Sequence, residues 1–123
     1  MPASLTAART ALAALLLAAP AVVVAAPAEA AEAAATACPW SQGAPPSNLN
    51  PYSSTDYAAG SAPIRVGPYG ACTAVTTKPS GTAITVNCYV TNSYGNTWSY
   101  VRGSGWVYDG NLRNGGSTHP CRF

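Results

Sequence analysis

Charged residues are scarce in this chain of 123 residues, which holds 6 Lys and Arg, 4 Asp and Glu, and a single His. Proteins that bind nucleic acid neutralise several phosphates with a dense basic surface, but here the basic residues stand singly along the sequence. A hydrolase needs a nucleophile with a base, or two carboxylates close together. With so few groups of this kind, and His119 alone near the end, the composition predicts neither nucleic-acid binding nor enzymatic activity.

Residues 1–30 contain no Gly, no Cys and no aromatic residue. They have a charged start, a long run of Ala, Leu and Val, and an Ala28-Glu29-Ala30 ending, which are the three parts of a secretory signal peptide. A retained membrane anchor is the alternative, since the uncharged stretch 11–28 reaches the lower limit of a membrane span. Pro20 and Pro27 interrupt that stretch. We therefore expect a cleaved signal peptide and a secreted protein, extracellular or associated with the cell wall, with no membrane contact after cleavage.

The rest of the chain divides into an arm and a β-rich domain. Residues 31–61 are rich in Ala, Pro and Ser with no apolar period, which predicts an extended arm anchored by Cys38. From residue 62 to 123 the sequence changes to short runs of Val, Ile, Thr, Tyr and Trp bounded by Gly, Pro or Asn. These runs predict five strands, at 64–66, 71–76, 83–90, 97–102 and 105–108.

Helical spacing is missing from the region after the leader, apart from a possible single turn at 109–112. The predicted fold class is therefore all-β, a small five-stranded barrel with a disulfide-anchored N-terminal arm and a tail that ends with Cys121. Pro79 and Gly81 predict one tight turn, and residues 103–105 predict a hairpin.

Four cysteines behind a signal peptide predict two disulfides, with three possible connectivities. No pair has the C-x-x-C spacing of a zinc site, and we predict no metal or other cofactor. In an antiparallel hairpin, residues equally distant from the turn face each other. Cys72 and Cys88 are equally distant from Ser80, so we predict a Cys72–Cys88 disulfide and, by elimination, a Cys38–Cys121 disulfide.

Three segments resemble the bacterial SH3-like domain often called SH3b. Residues 64–68, IRVGP, are similar to its opening N-V-R-S-G-P signature, and residues 79–86, PSGTAITV, to its K-G-x-x-V-x-V stretch. TWSYV at 97–101, followed by GWVY at 105–108 and by Leu112, is similar to its W-x-K-V, G-W-V and closing Leu. The leader and arm resemble small secreted proteins of actinobacteria in style. The resemblance implies an SH3-like barrel that acts as a non-catalytic binding module, most often for peptidoglycan or another cell-envelope component.

The resemblance also implies which residues line a ligand groove. Trp98 matches a groove position, and Tyr108 and Asn111 match positions on the same face. Asn111 stands where peptide-binding SH3 domains carry an aromatic residue, which argues against proline-rich ligands. Strand alternation and the family pattern place Val101 and Val107 inside, and leave Trp98, Tyr100 and Tyr108 at least partly exposed.

Aromatic faces suit sugars and peptides, and cations suit carboxylate-bearing ligands. The candidate ligand-binding residues are therefore Trp98, Tyr108, Tyr69, Tyr94, Tyr100, Arg65, Arg102 and Asn111. We predict a monomeric, secreted module that binds peptidoglycan or an envelope peptide through an aromatic groove. One alternative is a freely secreted effector or inhibitor that contacts a protein target through the loop 91–96. The other is a structural extracellular protein without a ligand.

Overall fold

The computed structural model describes residues 28–33 and 37–123, and the structural statements below concern this part of the chain. Its elements, in chain order, are the helix α1 (Ala28–Ala33), the strands β1 (Ser54–Tyr57), β2 (Ala62–Arg65), β3 (Ala74–Lys78), β4 (Ala83–Val86), β5 (Cys88–Thr91), β6 (Thr97–Val101) and β7 (Gly105–Tyr108), and the 3-10 turn η1 (Asp109–Asn111). The predicted all-β class is therefore confirmed, and η1 lies where the single turn was expected.

The strands form two antiparallel sheets. Five strands follow the order β3-β2-β7-β6-β5, with β3 and β5 at the edges, and β1 pairs with β4 in a separate two-stranded sheet. The predicted hairpin joins β6 to β7, where Val101 pairs with Gly105 and Gly103 has a φ of +77°. A positive φ is easily reached by glycine, which has no Cβ.

Seven strands in two sheets are present where five strands were predicted, and several predicted segments differ from the structure. The predicted strand 71–76 is β3, at 74–78. The predicted strand 83–90 is two strands, because the chain leaves one sheet at Asn87 and enters the other. Asn87 is buried, donates from Nδ2 to the Tyr52 carbonyl at 2.8 Å and accepts the Arg102 backbone N–H at 2.9 Å. The predicted arm 31–61 also contains β1, whose four residues pair in register with β4.

Alternating side chains of β6 and β7 divide the core into two clusters. Val107 lies in the first cluster, between the sheets, with its other members Ala58, Ala62, Ile64, Ile84, Val86 and Leu112. Val101 packs against this cluster, so the prediction that Val101 and Val107 point inward is confirmed. The second cluster, on the opposite face, contains Cys88, Trp98, Tyr100 and Trp106.

The predicted disulfide pairing is wrong, because the structure joins Cys38 to Cys72 and Cys88 to Cys121. The prediction assumed that the turn at 79–82 closes a hairpin. Instead β3, before the turn, pairs with β2, and β4, after it, pairs with β1. Residues equally distant from the turn therefore do not face each other. Cys121 reaches Cys88 because the tail runs beside β5, where its N–H donates to the Tyr89 carbonyl at 2.8 Å.

Most of the predicted signal peptide lies outside the described residues, which include only its last three positions, 28–30. In the described ranges, 28–33 and 37–123, no helix has the length and apolar character that crossing a membrane requires.

Candidate functional site

Two loops meet beside the five-stranded sheet, and the site is built on them. The first loop, 66–73, joins β2 to β3, and the second, 92–96, joins β5 to β6. The Asn92 Nδ2 donates to the Pro68 carbonyl at 2.9 Å, and the Ser93 N–H donates to the Tyr69 hydroxyl at 3.3 Å. The Tyr69 and Tyr94 rings meet edge to face, with centroids 6.1 Å apart. The loops therefore hold each other in place.

Asn92 organises the second loop from inside it. The Asn92 Oδ1 accepts the backbone N–H groups of Tyr94 and Asn96, each at 3.1 Å. The backbone N–H of Asn92 donates to the Asn96 carbonyl at 2.9 Å. A side chain that bonds to backbone groups a few residues ahead fixes a turn in this way. The Asn92 side chain is thus oriented by the loop itself, which leaves its Nδ2 directed at the space between the loops.

Glu32 of α1 fills that space. It is 1 % exposed. Its Oε2 accepts the Gly70 backbone N–H at 2.8 Å, and its Oε1 accepts the side-chain amides of Asn92 at 2.7 Å and Asn96 at 2.6 Å. A carboxylate is expensive to bury unless its oxygens receive hydrogen bonds, and here three neutral N–H donors supply them.

Glu29, one helical turn earlier, binds a second set of donors. Its Oε1 lies 2.8 Å from an Arg65 Nη2 and accepts the Arg65 Nε–H at 2.9 Å, while its Oε2 accepts the Asn111 amide at 2.8 Å. Arg65 is held by a further bond, from Nη1 to the Cys72 carbonyl at 3.0 Å. We name this set of donors the donor cleft. It consists of the side chains of Arg65, Asn92, Asn96 and Asn111 and the backbone N–H of Gly70.

The backbone of α1 lies close to Gly70 of the first loop. A Cβ at this position would meet the Glu29 carbonyl oxygen, the Ala33 nitrogen and the Glu32 Cβ. The absence of a side chain at Gly70 therefore lets a second stretch of backbone lie directly against the first loop. The Cys38–Cys72 disulfide fixes the end of this loop.

Four of the predicted ligand-binding residues lie together here. Arg65 and Asn111 belong to the donor cleft, and Tyr69 and Tyr94 belong to the two loops that form it. Tyr94 is 55 % exposed, whereas Tyr69 is buried. Tyr108 is half-buried, with its ring 5.5 Å from that of Trp98.

The prediction that Trp98 and Tyr100 are at least partly exposed is wrong, because both are buried, Trp98 completely. The family pattern described a bare sheet face, but here Trp40 from the arm and Cys121 from the tail pack onto this cluster. Arg102 is also remote from the cleft. It follows the other end of β6, where its Nη2 donates to the Asn50 carbonyl at 2.6 Å.

A separate groove lies at the start of β7, with a volume of about 260 Å³. Tyr100 and Trp106 contribute its aromatic wall. Its lining residues are Gly43, Ala44, Val66, Tyr100, Gly103, Ser104, Gly105 and Trp106. Because the lining includes no Asp, Glu, Lys, Arg or His, this groove offers shape and apolar contact but no charged side chain.

Asp109, at the start of η1, is a buried carboxyl close to the cleft residue Asn111. Burial raises the pKa of Asp109 to about 6. Hydrogen bonds from Ser99, whose Oγ lies 2.6 Å away, and from Thr97 oppose that rise, while the charge of Asp56 adds to it. The backbone carbonyl of Asp109 accepts the Leu112 N–H at 3.1 Å, within the single turn predicted at 109–112.

Sequence reasoning missed three of the cleft donors, namely Gly70, Asn92 and Asn96. The loop 91–96 was considered only as a surface for a protein target, although two Asn four residues apart in a turn are a signal of an organised loop. It also missed Glu29 and Glu32, since Glu29 was assigned to a leader and Glu32 was counted only as a charge.

Comparison with known proteins finds no family model, no curated protein and no solved structure that matches this chain.

Proposed function

We propose that this chain is a secreted, non-catalytic binding module with an SH3-like barrel, and that it recognises peptidoglycan or another cell-envelope component. The barrel assignment is supported by the strand order β2-β7-β6-β5, by the long loop between β2 and β3, and by the turn that joins the two sheets. η1 and the Ala58–Leu112 bridge after it agree with the closing Leu of the family pattern.

One observation carries the binding function. Four of the predicted residues meet around the donor cleft, and they come from three separate parts of the sequence: Arg65 and Tyr69, Tyr94, and Asn111. Peptidoglycan offers sugar rings, which suit exposed aromatic faces, and peptides with free carboxylates, which suit Arg65 and the amide donors. The aromatic contribution rests on Tyr94 and not on Trp98, because Tyr94 is the exposed ring.

Sedimentation of the oxidised secreted protein with intact peptidoglycan sacculi, at low and at physiological salt, tests this proposal. We expect retention that falls severalfold in Tyr94→Ala and in Arg65→Gln. Arg122→Gln is the matched control, because Arg122 is an exposed cation near the opposite end of the sheet, where its backbone N–H bonds to Asn50. Retention no greater than that of an unrelated secreted domain would refute the proposal and favour a soluble protein target.

A further inference from the structure

We propose that the donor cleft is a binding site for an acidic peptide that carries two carboxylates three residues apart, and that Glu29 and Glu32 occupy it as an intramolecular copy of that ligand. This inference rests on the proposed binding function and names the chemistry of the ligand. It concerns one site, the donor cleft, and one class of occupant, a peptide of another molecule with the spacing of Glu29 and Glu32.

The donor cleft binds every oxygen of the two carboxylates. Six N–H···O contacts reach the two carboxylates, and each of the four oxygens receives at least one. The donors come from β2 and the first loop, from the second loop and from η1, which are three separate regions of the sequence. Hydrogen bonds from Arg and from convergent N–H groups to a carboxylate are charge-assisted and stronger than neutral ones.

Two of the donors, Asn92 and Arg65, are positioned by the rest of the fold and not by α1. Asn92 is oriented by Tyr94, Asn96 and Pro68. Arg65 is held by the Cys72 carbonyl, and the Cys38–Cys72 disulfide holds that end of the loop. If α1 leaves, these donors stay in place without their acceptors. A preorganised site loses little entropy when a ligand fills it.

The shape of the cleft at Gly70 suits a peptide ligand. Gly70 has no Cβ at the point where the Glu29 carbonyl and the Ala33 nitrogen pass it. The cleft therefore accommodates a backbone as well as two carboxylates. A nucleic acid is a poor fit, because Arg65 is the one cation among the donors and each phosphate would need its own.

The predicted cleavage point gives the site a way to open. Cleavage after Ala30, which the Ala28-Glu29-Ala30 pattern predicts, separates Glu29 from Glu32. Glu29 then departs with the leader, and Arg65 and Asn111 lose their acceptor. In this scheme, export empties the part of the cleft that Arg65 and Asn111 form.

The test uses protein secreted from the full-length gene, with its N-terminus read by intact-mass spectrometry. In the Glu29→Ala/Glu32→Ala variant the chain supplies no carboxylate to the cleft, whichever N-terminus results. The probe is residues 28–33, AEAAEA, as an acetylated and amidated peptide, and AQAAQA is its uncharged control. Binding is followed in ¹H–¹⁵N spectra by the Gly70 amide, the Asn side-chain amides of the cleft and the Arg65 Nε–H.

We expect saturable shifts confined to these signals with AEAAEA and none with AQAAQA. Adding Arg65→Gln to the double variant should weaken its binding of AEAAEA about tenfold or more, as loss of a hydrogen bond to a charged group does. Adding Arg122→Gln instead should leave this binding unchanged. Shifts of equal size with both peptides, or no saturable shift with AEAAEA, would overturn the inference and leave α1 a purely structural segment.

A second variant keeps the test decisive if the double variant fails to fold. Glu29→Ala alone retains the buried Glu32, and the probe should then shift only the Arg65 and Asn111 signals. The sacculus experiment separates this inference from the proposed function. Peptide binding without sacculus retention supports the acidic-peptide site and refutes the wall target. Retention that Arg65→Gln leaves unchanged supports the wall target and refutes the role given to this cleft.

Discussion

Replacement of Asp109 by Asn tests the electrostatics beneath η1, the turn that carries the cleft residue Asn111. Burial raises the pKa of Asp109 from 3.8 to about 6 in the folded protein. The residue is 7 % exposed, the Ser99 hydroxyl donates to it, and the buried Asp56 adds a repulsive charge. Its ionisation is therefore less favourable in the folded chain than in the unfolded one.

The sign of the pH dependence follows from these two pKa values. Between about pH 4 and pH 6 the folded protein keeps a proton on Asp109 that the unfolded chain has already lost. The contribution of Asp109 to the free energy of unfolding is highest below the unfolded pKa, falls as the pH rises through this window, and is constant above it. The difference between the two pKa values corresponds to at most about 3 kcal/mol at neutral pH.

Urea unfolding of the wild type and of Asp109→Asn at pH 4 and pH 7.5 measures this contribution. The variant should gain up to about 3 kcal/mol relative to the wild type between the two pH values. Ser99→Ala is a useful companion, because it removes a bond that favours the charged form and should raise the pKa of Asp109 further. If the stability difference between Asp109→Asn and the wild type did not change with pH, or changed in the opposite direction, the reasoning would be refuted.

Three further predictions concern the fold that supports the cleft. Peptide mapping of unreduced protein should recover Cys38 joined to Cys72, and any other pairing would contradict the structure. Replacing both cysteines by Ser should lower the free energy of unfolding, measured with urea, by about 4 kcal/mol for a loop of this length. Trp98→Ala should lower the free energy of unfolding by about 3–5 kcal/mol, because the ring is fully buried. A decrease below about 1 kcal/mol would mean that the ring is exposed. Gly105→Ala should lose about 1–3 kcal/mol, since Gly105 has a φ of +147° and a Cβ there would meet the Arg65 carbonyl; an unchanged melting temperature would count against that geometry.

Features set by neighbouring residues could be predicted from the sequence. Residues 97–101 and 105–108 alternate aromatic and small or branched side chains, and the Gly-Ser-Gly between them allows a tight hairpin, so β6 and β7 were placed within one residue. The single turn at η1 follows from an equally local rule. In each case, the signal lies within ten residues of the element that it predicts.

Features set by distant partners could not be predicted. The sequence of the turn at 79–82 is the same whether its flanking strands pair with each other or belong to two different sheets. That difference decides which cysteines lie close enough to form disulfides. The burial of Trp98 depends on Trp40 and Cys121, which are 58 residues before it and 23 after it. The four residues of β1, STDY, are polar and show no pattern of apolar side chains on one face. This strand could therefore be recognised only from its pairing with β4.

The two halves of the donor cleft recognise their carboxylates by different physics. Arg65 and Glu29 carry full opposite charges on side chains that are 18 % and 13 % exposed, so their attraction acts at a distance and is weakened by salt. Glu32 is 1 % exposed and meets only neutral N–H groups, whose bonds depend on distance and direction and are little affected by screening. An acidic ligand would therefore be attracted by Arg65 and selected by the amides of Asn92 and Asn96. Charge alone would admit many carboxylates, whereas the fixed spacing between the two halves restricts the cleft to those three residues apart.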